Sequence, residues 1–377
     1  MNKIKKFIDN EILLTPSAYE EIKDMKESKI KKLLDTDTLF LENIESKENE
    51  DEIEDNNVSV EFKSTLEIIK GPKNTSGKYK ISQFVDHYNN RFSKLKGILK
   101  ERVDTKKLIS INKLSSYGLE GTIIGIVREV NDDYVLIEDN TSSVKIDTKE
   151  NLVEDEVIGV KGKKNKEKFV AEKIYYPDLS FKRDVNTLQE EKNALFISDL
   201  NSDNIEGIDK ILSENNVSYL FIVGKINLEK MDRFKEMLDE MELESVWVPD
   251  TEDDEVEDCD RLIKSSNPSW CSVSDEMMIF QYFGKNFDKY KKKLDVETSR
   301  DLTLKLLKKR HLDPSGKNFF NDTFLLDELP DIIHCGNLND FSIYNYKGTT
   351  VVNTTPERSV LVNFGNREVE EVDLKNI

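Results

Sequence analysis

Apolar and polar residues along this chain change period several times, and each change marks a boundary between elements. Ile81, Phe84, Val85, Tyr88, Phe92, Leu95, Ile98 and Leu99 recur at helical spacing and predict an amphipathic helix over 81–102. From Tyr117 the period drops to two. Segments 119–130, 134–137, 144–146, 157–161 and 169–176 read as short strands, separated by turns such as Asn131-Asp132-Asp133. Short strands with frequent turns fit a small closed barrel of the OB type. After Pro177 strands and helices alternate: strands at 193–198, 218–223 and 245–248, helices at 205–215 and 228–241. Strands resume at 277–282, 331–335, 342–344, 349–353 and 360–363, and the segment between the first two, 290–310, reads as a basic helix. An α/β half followed by a β-rich half suits a two-sheet sandwich.

The start of the chain behaves differently. Thr15-Pro16 is a helix start signal, and Tyr19, Ile22, Met25, Ile30, Leu33 and Leu34 form an imperfect stripe, so 1–41 reads as a small helical module. Residues 42–57 hold eight acids and one lysine with only Ile44 and Ile53 apolar, a composition that favours a solvated tether. A short strand within 58–69 and a loop over 71–77 follow. The expected organisation is a multidomain α+β chain. It has an N-terminal module (1–41), an acidic linker (42–77), a helix packed on the barrel (78–116), the barrel (117–178) and the sandwich (190–377).

Charge narrows the function. The chain carries 56 basic and 75 acidic side chains, a net −19, which repels a phosphate backbone and disfavours nucleic-acid binding as the sole role. Residues 91–107 reverse the balance with seven basic and two acidic side chains, and 290–310 is basic as well; each is a solvated face or a partner surface. The barrel offers Tyr134, Phe169, Tyr175 and Tyr176 beside the lysine-rich loop 161–166, a surface for stacking single strands or for packing on a neighbouring domain. Three cysteines with no Cys-x-x-Cys pair suggest buried thiols in a reducing compartment. No run approaches the ~20 apolar residues of a membrane span, and a soluble, cytoplasmic protein is expected.

Two strand ends carry the candidate chemistry. Asp199-Leu200-Asn201 and Gly336-Asn337-Leu338-Asn339 resemble the Asp-x-His and Gly-His-x-His loops of calcineurin-like phosphoesterases, with asparagine where that pattern has histidine. That family holds two metal ions ~3.5–4 Å apart, which activate water and clamp phosphoryl oxygens. The resemblance places its other motifs at Val223-Gly224-Lys225, with Lys225 in the position of the bridging acid, near Asp253, and at Tyr282-Phe283-Gly284, with Phe283 for a histidine. The pattern calls for five histidines and the chain has three: His87, His311 and His334. His87 falls in the first predicted helix, His311 at a helix end and His334 in a strand, where a hydrogen-bonded core role suits it. Lys225 either replaces the metal charge by pairing with Asp199 or Asp253, or points to solvent. Asp199, Asp203, Asp250, Asp253 and Asp258 are the acids from which an all-oxygen Mg²⁺ or Mn²⁺ site would be built.

The whole chain resembles the small-subunit family of the archaeal D-family DNA polymerases. The resemblance rests on Ile12-Leu13-Leu14-Thr15-Pro16-Ser17-Ala18, on 84–102, on Ile137-Glu138-Asp139-Asn140-Thr141, on Asp155-Glu156-Val157-Ile158-Gly159-Val160 and on Tyr176-Pro177-Asp178. It implies an OB barrel joined to a phosphoesterase domain, a large catalytic subunit as partner, DNA reached through the complex, and DNA replication as the process. In typical members the phosphoesterase domain is a Mn²⁺-dependent 3′–5′ exonuclease. The departures at Asp199, Asn201, Lys225, Asp253, Phe283, Asn337 and Asn339 lead instead to an accessory scaffold with no catalytic or metal-binding residues and no expected cofactor. The alternative is an active proofreading exonuclease subunit of the same polymerase. A third reading is a free-standing single-strand binder.

Overall fold

The computed structural model describes residues 13–14, 40–41, 65–72, 81–114, 119–181, 183–228, 231–251, 254, 256, 259–316 and 321–375. Two compact units divide the chain, Met1–Phe62 and Lys63–Ile377. In the first, the described residues are two short strands paired in parallel, β1 (Leu13–Leu14) and β2 (Phe40–Leu41). At those positions the helical expectation for 1–41 is replaced by extended backbone. The rest of that module and the acidic tether lie outside the described residues.

The second unit opens with β3 (Leu66–Lys70) and helix α1 (Ile81–Lys100). Five strands follow: β4 (Glu120–Val130), β5 (Val135–Glu138), β6 (Ser143–Asp147), β7 (Val157–Asn165) and β8 (Lys168–Tyr175). They close into a barrel of order β4-β5-β6-β8-β7, with β7 pairing back onto β4. Alternation drives this: Val135 and Ile137 on β5 and Val144 and Ile146 on β6 point inward, while their neighbours face out. The apolar stripe of α1 (Phe92, Leu95, Leu99) packs outside the barrel against Ile124, Ile126 and Val157.

The remaining strands build two sheets. The first holds β9 (Asn193–Asn201), β10 (Val217–Asn227), β11 (Glu244–Val248) and β12 (Leu262–Lys264) in parallel, then β18 (Arg358–Asn363) and β19 (Val369–Asp373), in the order β12-β11-β10-β9-β18-β19. The second holds β13 (Ser269–Val273), β14 (Met277–Phe283), β15 (Ile332–Gly336), β16 (Ser342–Tyr346) and β17 (Thr349–Asn353). Its order is β16-β17-β15-β14-β13-β3, so the strand that precedes α1 in sequence forms the sandwich edge. The carboxylate of Glu244 fixes that strand by accepting the backbone N–H groups of Thr65 and Leu66. Phe196, Phe221, Ile279 and Val360 meet between the sheets. On the outer face of the first sheet, Leu195, Ile197 and Trp247 pack on α2 (Ile205–Glu214) and α3 (Met231–Glu240). Strands buried on both faces explain the continuous apolar runs in the sequence.

The basic segment 290–310 is two helices, α4 (Phe287–Leu294) and α5 (Ser299–Lys308), and not one. Asp295 ends α4 in the left-handed region at φ 51°, and the Thr298 hydroxyl caps α5 by accepting the Asp301 N–H. Nor is the segment a solvated face. Tyr290, Leu294, Leu302 and Leu306 pack on the second sheet together with Val153 of the barrel. Lys309 lies buried in an ion pair with Glu156, also of the barrel; their side chains are 3% and 0% exposed. Arg310 donates to the carbonyl of Pro177. The C-terminal end of the cationic run, Lys309 and Arg310, forms the seam between barrel and sandwich, while Lys292 and Arg300 stay exposed.

Candidate functional site

The strands β9, β10, β14 and β15 carry at or just beyond their ends Asp199, Asn201, Lys225, Phe283, Asn337 and Asn339, the described ones among the motif residues singled out in the sequence. Asp199 stands in the left-handed region at φ 53°, a conformation acidic side chains tolerate better than most. Its Oδ1 accepts the Lys225 backbone N–H at 2.8 Å, and the Ser198 hydroxyl donates to Oδ2 at 3.3 Å. Burial pushes the carboxyl above the usual carboxylate range; the Lys225 N–H, the Ser198 hydroxyl and the Lys225 charge offset part of that. Asn201 turns its Oδ1 onto the backbone N–H groups of Asp203 and Asn204, at 2.9 and 3.2 Å, and so closes the turn into α2.

Lys225 takes the solvent option. Its side chain is 65% exposed, with Nζ 3.8 Å from Asp250. It meets Asp199 through its backbone and not through a side-chain ion pair. Asp253 and Asp258 lie outside the described residues, and Asp203 is exposed.

Phe283 fills the space at the centre. It is 8% exposed, and Asn267 pins its backbone on both sides, accepting its N–H at 3.1 Å and donating to its carbonyl at 3.0 Å. Gly224, at φ 100°, and Gly336 let the two sheets close around the ring. A Cβ on Gly224 would fall 2.4 Å from Asp199 Oδ1 and 2.9 Å from Phe283 Cε2, and one on Gly336 would fall 2.5 Å from Val223 Cγ2. Asn337 donates to the Gly284 carbonyl at 3.1 Å, and Asn339 is exposed.

These groups do not fit a pair of divalent ions. The half-buried Asp199 carboxylate is engaged by a backbone N–H, the Asn201 amide closes a turn, and the Phe283 ring occupies the space between the sheets. Among the described residues, no group of three or more His, Cys, Asp or Glu is placed to hold a metal ion.

The histidines lie elsewhere. His334 is buried on β15, with Nε2 2.9 Å from the Thr354 hydroxyl and its ring edge-on to Phe196; burial pushes its pKa down to about 3. It is a core residue, as its strand position implies. His311 follows the end of α5, where its backbone N–H donates to the Leu306 carbonyl at 3.3 Å. It forms a β-bridge with Leu325, bonds Asp322 at 2.9 Å, and is pushed by burial below the usual imidazole range. Arg91 reaches the same Asp322 at 2.6 Å, with His87 beside it at 3.7 Å, so α1 is locked to the sandwich by a buried charge cluster. Within 91–107, Arg91, Lys94 and Arg102 are likewise turned onto Asp322, Asp327 and the carbonyls of Asp178 and Leu179.

Of the barrel aromatics, Phe169 is fully buried, and Tyr134, Tyr175 and Tyr176 lie under the ammonium groups of Lys145, Lys173 and Lys309. The barrel thus presents no bare stacking platform among the described residues. Sequence reasoning found Phe283 only as a missing histidine. Asn267 and Ser198, which position Phe283 and Asp199, carry no signal without a partner list.

No protein-family model matches the chain. It is 25% identical over 368 residues to the DNA polymerase II small subunit of Methanothermobacter thermautotrophicus, covering 77% of this chain and 76% of that one. It is 24% identical over 374 residues to the subunit of the same name from Archaeoglobus fulgidus, covering 78% and 75%. A shorter match to the Pyrococcus abyssi subunit reaches 31% identity over 159 residues, 38% of this chain and 26% of the relative. Among solved structures, a novel archaeal phosphodiesterase aligns with 48% of this chain and 99% of its own at 12% identity and TM-score 0.30. Vacuolar protein sorting 29 from Cryptosporidium parvum aligns with 48% and 98% at 14% identity and TM-score 0.29. Among the described residues, no helix is long and apolar enough to cross a membrane.

Proposed function

We propose that this chain, a homologue of the DNA polymerase II small subunits, is the accessory subunit of a heteromeric replicative DNA polymerase and scaffolds a large catalytic subunit. In this reading the five-stranded barrel is of the OB type, and the sandwich is a calcineurin-like phosphoesterase domain that no longer hydrolyses phosphodiesters. DNA is reached through the complex. The observation that carries the reading is the filling of the strand ends. The Phe283 ring packs against Gly224 at the strand ends, the place where this reading puts the family's metal site, and Asp199 is engaged by the Lys225 N–H. Without metal-bound hydroxide the crevice has no nucleophile generator and no clamp for a phosphoryl group.

The buried ties between α1, barrel and sandwich support the scaffold role. A docking platform gains affinity when its parts are already fixed before the partner arrives. Co-expression with the large subunit of the same organism tests the reading. A two-chain species on size exclusion, stable to dilution, is the expected outcome, and separate elution of the two chains would overturn it.

A further inference from the structure

Among the described residues, seven large apolar side chains are exposed, Phe84 and Val85 side by side in sequence on α1, and one of the seven stands apart. Phe181 is 85% exposed, against 47% for the next most exposed, Ile69 and Val85. A wholly exposed phenyl on a loose loop needs no explanation. This one is held on both sides. Upstream, the Asp178 carboxylate accepts from the Tyr346 hydroxyl at 3.0 Å and from Lys347 at 2.5 Å, and Leu179 is fully buried. Downstream, Arg183 donates to the carbonyls of Leu329 and Pro330, to the Thr349 hydroxyl and to Asp331, all within 2.8 Å. The chain is therefore tied down on either flank of Phe181, at Asp178 and at Arg183, which lowers the ordering cost of binding through this residue.

Its surroundings are cationic. The Lys347 ammonium lies 4.1 Å from the Phe181 ring centroid. Further along the same edge, Lys308 lies over Tyr346 at 5.6 Å and Arg300 over Tyr344 at 5.4 Å, and neither makes an ion pair among the described residues. Asp178 neutralises Lys347, which leaves Lys308 and Arg300 as the cations of this edge outside ion pairs among the described residues.

We propose that Phe181 is an anchor for the large catalytic subunit, inserting into an apolar pocket whose rim carries carboxylates facing Lys308 and Arg300. A protein pocket is favoured over a single-stranded nucleic acid. Each of the three rings already carries a cation, Lys347 on Phe181, Lys308 on Tyr346 and Arg300 on Tyr344, and the overall charge opposes a phosphate backbone. Pre-organised aromatic anchors ringed by polar contacts supply most of the energy of many protein interfaces.

The inference rests on the accessory-subunit reading, and one titration separates the two. The dissociation constant for the large subunit is measured for the wild type, Phe181→Ser, Lys308→Glu and Val130→Ser, the last being an exposed apolar residue on the barrel. Loss of the exposed Phe181 side chain leaves the melting temperature of the isolated chain unchanged. Phe181→Ser is expected to weaken the complex on the order of 30-fold, as for an interface anchor. Lys308→Glu is expected to weaken it about fivefold at low salt and less at high salt, and Val130→Ser not at all. If the wild type binds and Phe181→Ser binds equally well, the anchor falls while the subunit reading stands. If the wild type forms no complex, both fall. Salt-sensitive binding of single-stranded DNA that Phe181→Ser abolishes, with subunit affinity intact, would overturn the anchor in favour of a nucleic-acid contact.

Discussion

Replacing Lys309 by Met removes the ammonium that neutralises Glu156 in the seam between barrel and sandwich. Both side chains are almost fully enclosed, at 3% and 0% exposure, and the Lys309 Nζ also sits 4.4 Å from the Tyr176 ring centroid. Glu156 keeps one hydrogen bond, from the Val153 N–H at 2.7 Å. Breaking one side of a buried ion pair costs about 3–5 kcal/mol, because the remaining charge is left desolvated and unpaired.

The cost depends on pH, with a sign that can be worked out. Burial already raises the Glu156 carboxyl above its ordinary value, and the Lys309 charge and hydrogen bond hold it back. Without Lys309 it rises further, so over a wider range the folded variant holds a proton that the unfolded chain has released. Stability of the variant then falls by about 1.4 kcal/mol for each pH unit of rise. The deficit relative to wild type is therefore larger at pH 8 than at pH 6. Urea unfolding of both chains at the two pH values reads this directly. Adding Glu156→Gln to the variant removes the charge and flattens the pH dependence. A deficit below about 1 kcal/mol, or one equal at pH 6 and 8, would refute the claim that this pair holds the seam.

Other perturbations follow the same logic. Phe283→Ala leaves a cavity between Gly224 and Gly336, and it should destabilise the chain by about 3–5 kcal/mol in calorimetry; a change under 1 kcal/mol would mean that the ring fills nothing. Asp199→Asn keeps an acceptor for the Lys225 N–H and removes a carboxylate whose native value is raised by burial. A raised native carboxyl costs stability as pH climbs above its unfolded value, so the asparagine variant should melt no lower than wild type at pH 8; a clear drop there would contradict the assignment. Arg91→Leu strands Asp322 beside two histidines that burial otherwise keeps neutral, and it should cost about 3–5 kcal/mol at pH 8. Chemical denaturation of both chains measures the loss, and a change under about 1 kcal/mol would contradict the role given to this cluster.

Much of the architecture was legible because period and burial agree. Val135 to Ile137 and Val144 to Ile146 alternate as barrel strands do, the Phe92, Leu95 and Leu99 part of the 81–99 stripe is the α1 face on the barrel while Phe84 and Val85 stay exposed, and 194–197 is apolar throughout because β9 is covered on both sides. What stayed hidden depends on distant partners. Residues 290–310 are basic in composition, but nothing local shows that Lys309 meets Glu156 some 150 residues earlier, or that Asp295 breaks the helix. The edge position of β3 depends on Glu244, far along the chain. At the strand ends, the lost imidazoles could be read as absences, while the packing of Phe283 against two glycines is a contact between sheets and has no signature in one strand.

The central claim is that the strand-end crevice carries out no metal-dependent phosphodiester cleavage. The most direct measurement follows a 3′-labelled single strand with the purified two-subunit complex in Mn²⁺, comparing wild type with Asp199→Ala. The account predicts that the two complexes release the terminal nucleotide at the same rate, whatever that rate is. A Mn²⁺-dependent release that Asp199→Ala abolishes would contradict it.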